Sequence, residues 1–126
     1  MPMQWGLSKP RGVTVLSIWG FLTAQDVDRL NDAATWTWAK SSGPLVLDLT
    51  GLQGWAAVGE AALGATARQW TSERRAVVLC LAPTSLLTIA DAELAACPRY
   101  PGISAAVSAV NRREATAESG PGCSDT

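Results

Sequence analysis

Three short runs along the chain are apolar on both faces: residues 13–20 (VTVLSIWG), 45–50 (LVLDLT) and 76–82 (AVVLCLA). Each falls far short of the roughly 20 residues of a membrane span, and their β-branched and large apolar side chains favour strands. A strand without a polar face must be covered on both sides. The segments between them read as helices. Over 24–40, Val27, Leu30, Ala34 and Trp38 recur at spacings of three or four, giving an apolar stripe that faces a sheet, and 58–72 carries a second helix of small residues. Buried strands separated by helices pair in parallel through right-handed crossovers. The fold class is therefore α/β.

The remaining segments fill out this frame. Residues 4–7 form a short edge strand, and 8–12, with Pro10 and Gly12, a turn. Thr23 stands where its side chain can accept from the first amides of helix 24–40, with Asp26 and Asp28 near the positive end of the dipole. Residues 41–44 break the chain before the second buried strand. Pro83 and Thr84 open a third helical stretch reaching about residue 96. Pro98 and Pro101 bound a short extended piece around Tyr100, and 103–113 form a last helix with Ile103, Ala106, Val107 and Val110 on one side. From residue 116 the chain reads TAESGPGCSDT, with too little apolar surface to order itself. The expected organisation is one domain, 1–115, followed by a disordered tail, 116–126.

Composition narrows the function. Ten basic against eleven acidic residues leave a net charge of −1, without the basic footprint of a nucleic-acid binder. The start, MPMQWG, lacks the basic and apolar regions of a secretory signal, so a cytoplasmic address is expected. No metal site is expected, because histidine is absent and Cys80, Cys97 and Cys123 have no CxxC spacing. Without histidine, the ordinary Ser-His-Asp and Cys-His arrangements are excluded. Lys9 and Lys40 are the only lysines, and both fall in loop or terminal positions. Asp48 is a single carboxylate in a strand and reads as a hydrogen-bond acceptor. Gly51, Gly54 and Gly59 fit neither GxGxxG nor GxxxxGK[ST]. No catalytic residue and no cofactor are assigned.

The stretch 45–63, LVLDLTGLQGWAAVGEAAL, is where function concentrates. It resembles the central strand-loop-helix of STAS domains, the family of bacterial anti-sigma factor antagonists, whose usual form is close to (V/L)VLDLSGVxFxDSSGLxAL. Leu47, Asp48, Leu49, Thr50 and Gly51 fall on the family's LDLSG, and Gly59 on the glycine that ends DSSG. Gly20, Leu22, Arg29 and Leu30 match the family's GELDxxxxxRL, while Tyr100, Pro101 and Ile103 match its late YPxV. The resemblance spans about residues 13–110 and implies a mixed sheet of four or five strands covered by about four helices. In the family, a serine at the position of Ala57 is phosphorylated by an anti-sigma factor kinase that docks there. Here Ala56, Ala57 and Val58 replace Asp, Ser and Ser, and Thr23 replaces an Asp. The shape of the switch is kept and its acceptor hydroxyl is gone.

What the resemblance implies is a non-enzymatic regulatory module that binds an anti-sigma factor or related protein through Thr23, Gly54, Trp55, Ala56, Ala57, Val58, Gly59 and Glu60. Other readings are a scaffold acting through homodimers or larger assemblies, and a weak nucleotide or small-ligand binder. Six tryptophans bear on the choice. Trp19 and Trp70 are expected in the core. Trp36 and Trp38, two apart on one helix, cannot share a face, so at least one is exposed. Trp55 serves either the core or a partner contact, tryptophan being enriched among interface hot spots.

Overall fold

The strands lie across the sheet in the same order as along the chain: β1 (Gln4–Ser8), β2 (Thr14–Leu22), β3 (Leu45–Trp55), β4 (Val77–Cys80) and β5 (Arg99–Tyr100). The structure, a computed structural model, describes residues 3–118. β1 is antiparallel to β2, and every other pair is parallel. Helices α1 (Val27–Lys40), α2 (Ala57–Ser72), α3 (Ala92–Ala95) and α4 (Ile103–Glu118) complete an α/β fold with a mixed five-stranded sheet, as expected.

Both faces of the sheet are apolar because helices cover both. On one side Leu16, Ile18 and Leu22 of β2 join Leu45, Leu47 and Leu49 of β3 in a core with Leu30 of α1 and Leu63 and Trp70 of α2. On the other side Val15, Val46, Val78 and Cys80 meet Ala106, Val107 and Val110 of α4. Fully burying one such aliphatic side chain contributes about 1.5–3 kcal/mol. Of the tryptophans, Trp70 is fully buried and meets Trp38 edge-on with ring centroids 4.8 Å apart. Trp36 is 53% exposed. Trp19 corrects the expectation of core burial. It continues the α4 side of β2 beyond the cluster that α4 covers, and it and Phe21 remain 37% and 42% exposed.

Two elements differ from their expected extents. β3 runs on past Thr50 to Trp55, pairing with β2 as far as Leu22 and Trp55, with register shifts beside Trp19 and Phe21. Its Gly51 and Gly54 are strand residues at irregular pairings instead of turn residues. The third helical stretch shrinks to Ala92–Ala95. Asp91 starts it by accepting from the amides of Glu93 and Leu94, and residues 81–91 form an irregular loop. α4 reaches Glu118; the segment 119–126 of the expected tail, and Cys123 with it, lie outside the described residues. Among the described residues no helix is long and apolar enough to cross a membrane.

Candidate functional site

The carboxyl ends of β2 and β3 bring the candidate residues together. β2 ends at Leu22 and turns through Thr23 and a 3-10 turn, Ala24–Asp26, into α1; β3 ends at Trp55, and α2 begins at Ala57. The amide of Ala56 donates to the carbonyl of Leu22 at 2.9 Å, tying the two turns. Gly59 lets the first turn of α2 lie directly on β2. A Cβ there would stand 2.6 Å from the Leu22 carbonyl oxygen and 2.8 Å from its Cγ. Thr23, Ala56, Ala57 and Val58 are exposed, Gly54 and Trp55 half-buried, and Gly59 and Glu60 buried. Six of the eight residues therefore reach the surface, and the last two hold it in place.

Thr23 is the N-cap of the turn into α1 and forms a capping box with Asp26. Its amide and hydroxyl both donate to Asp26 Oδ2, at 3.0 and 2.9 Å. The amide bond is the main reason the Asp26 carboxyl is held below its usual range, against the opposing effect of burial. The β2–α1 turn is thereby fixed around one buried carboxylate.

Glu60 points inward. Its Oε2 accepts from the amides of Ala90 and Asp91 at 2.5 and 2.7 Å, fastening the end of loop 81–91 to α2. The fastening leaves a cavity of about 450 Å³ between loop and helix, lined by Gly54, Trp55, Ala57, Glu60, Leu86 and Thr88 among others. Leu86 is 97% exposed at its edge. The loop replaces the helix expected from Pro83 onward, so Leu86, Leu87 and Ile89 lie in irregular chain.

Asp48 is the acceptor its strand position suggests. It receives the Ser17 hydroxyl at 2.9 Å, and the Thr50 amide and hydroxyl at 3.1 and 2.7 Å. Beside it in register, Cys80 is buried, and burial first, then the Asp48 charge, pushes its thiol up to about 12. A thiol so raised is not a nucleophile at neutral pH.

No protein-family model matches the chain, and no curated protein does either. Solved structures do match. An anti-sigma factor antagonist from Mycobacterium paratuberculosis is 24% identical, with a TM-score of 0.71 over 87% of this chain and 95% of that one. The anti-sigma factor antagonist SpoIIAA in its unphosphorylated form is 12% identical, with a TM-score of 0.64 over 86% of this chain and 98% of that one. The chain has the fold of the anti-sigma factor antagonists, the STAS fold.

Proposed function

We propose that this chain is a non-enzymatic, cytoplasmic regulatory module of the anti-sigma factor antagonist type, docking an anti-sigma factor or related protein at Thr23 and residues 54–58. The observation that carries the reading is the apolar first turn of α2. Ala56, Ala57 and Val58 are exposed, Val58 by 48%, on a backbone pinned to Leu22 from beneath. Apolar groups held rigidly in water gain free energy when a partner covers them, and little ordering entropy opposes it. With alanine at position 57 no phosphate can form there, so docking is either constitutive or answers to another signal.

Capture from cells that naturally produce the protein, with wild type and Ala57→Asp as baits, tests the reading. One anti-sigma factor retained by the first and lost by the second is the expected result; equal capture by both removes residues 54–58 from the interface. A second reading, self-association, draws on Trp19 and Phe21, which stay exposed on the sheet. Sedimentation velocity at increasing concentration decides it, since a monomer throughout excludes an assembly role built on self-contact.

A further inference from the structure

A cavity of about 430 Å³ lies where β2 and β3 begin, at the opposite end of the sheet from the docking face. Three segments wall it: the β1–β2 turn, the α1–β3 loop and α4. Lys9 and Lys40, the chain's only lysines, both line it, together with Thr14, Ser41, Ser42 and Asn111. Among the described residues that line it, none is acidic. Thr14 is 4% exposed, yet its hydroxyl has no hydrogen-bond partner among the described residues, and neither the Asn111 amide group nor the Ser42 hydroxyl has one. Buried polar groups are otherwise paired, so a nearly buried hydroxyl in this state marks a place that a ligand can complete.

Both ammonium groups serve the fold without being exhausted by it. Lys9 donates through Nζ to the Lys40 carbonyl, at the negative end of the α1 dipole, and Lys40 Nζ stands 4.7 Å from the centre of the Trp36 ring. An ammonium has three donors, so Lys9 keeps two and Lys40 all three. Two unit charges also outweigh the roughly half a charge of a helix end. Arg75 fixes the α1–β3 wall by donating to the Gly43 carbonyl and, at 2.7 Å, to the Ser41 hydroxyl. We propose that this cavity binds a small molecule carrying phosphate, whose oxygens accept from Lys9, Lys40, Thr14 and Asn111. The donors come from three directions, which suits a tetrahedral oxyanion, whereas a flat carboxylate accepts in one plane. The volume lies in the range of small-ligand sites and leaves room for an organic group beside the phosphate. The site does not rest on the docking reading.

Isothermal titration of the full chain with inorganic pyrophosphate tests the site, with citrate as the carboxylate comparator. A single pyrophosphate per chain, bound about tenfold more tightly than citrate and weakened by added salt, is expected. No pyrophosphate binding overturns the site, and equal binding of citrate overturns the phosphate assignment. Thr14→Val should weaken pyrophosphate binding about tenfold while its urea midpoint without ligand stays level or rises, because the hydroxyl has no bond to lose. A lowered midpoint would show the hydroxyl serving the fold, and unchanged affinity would take Thr14 out of the site; either overturns the proposal. Lys40→Gln, at the end of α1, should also weaken binding and reduce its dependence on salt. A variant that binds as wild type does would put the ion elsewhere on the surface and refute the cavity. None of these readouts involves the docking face, so failure here leaves that reading untouched.

Discussion

Gly59 shows how a single missing methyl positions a surface. Gly59→Ala places a Cβ 2.6 Å from the Leu22 oxygen, so α2 must lift off β2. The strain, about 1–3 kcal/mol, exceeds the roughly 1 kcal/mol that alanine returns in helix propensity. Urea unfolding should show a net loss of stability; a gain would mean that α2 shifts freely. Arg75 holds together segments distant in sequence. Its Nε donates to the Gly43 carbonyl at 2.8 Å and its Nη2 to the Ser41 hydroxyl at 2.7 Å, with the guanidinium 4.3 Å from the Trp38 ring and 5.2 Å from that of Trp70. Arg75→Ala is expected to cost about 2 kcal/mol, and Arg75→Lys to recover little, because an ammonium lacks the planar fork. Equal midpoints for wild type and Arg75→Lys in the same titration would refute that. The family pattern marks Gly59 in the sequence. Arg75 is marked by nothing, since its partners meet only in the fold.

At the scale of elements, the contrast between β3 and loop 81–91 explains what could be read in advance. Strand 45–50 declares itself because both its faces are buried, whereas its continuation to Trp55 is hidden by Gly51 and Gly54, which also suit a turn. The loop carries apolar residues at helical spacing, yet its amides at Ala90 and Asp91 are used by Glu60, a tertiary contact that no local pattern reveals. Glu60→Ala leaves those two amides without their acceptor, at a local cost of about 1–3 kcal/mol. Hydrogen exchange at Ala90 and Asp91 should accelerate while the amides of β3 and β4 keep their protection. The β2–α1 turn adds a pH dependence. Asp26 has a lower pKa folded than its ordinary 3.8, so its stabilisation is complete above that value and lost as pH falls through the folded one. Asp26→Asn should flatten the acid limb of the stability curve; an unchanged limb would assign acid sensitivity to other carboxylates.

For the whole molecule, the two cores are joined through one sheet, and each holds a buried thiol. Cys97 belongs to the core under α1 and α2, Cys80 to the core under α4, and burial pushes their thiols up to about 11 and 12. Neither should react with iodoacetamide until the fold opens. Leu47→Ala, in a Cys123→Ser background, removes a fully buried side chain at about 2–5 kcal/mol and should accelerate both labelling rates by the same factor. Unequal factors would mean that one side of the sheet opens alone. The architecture at this scale was legible from three runs of sequence, whereas the open aromatic strip of Trp19 and Phe21 was not, because only the placement of α4 decides which part of a sheet is covered. One property of the sheet also bears on the protein's synthesis. Because the strands are laid side by side in the order in which they are translated, a chain emerging from the ribosome can dock each new strand against the one before it and never has to wait for a neighbour still unmade.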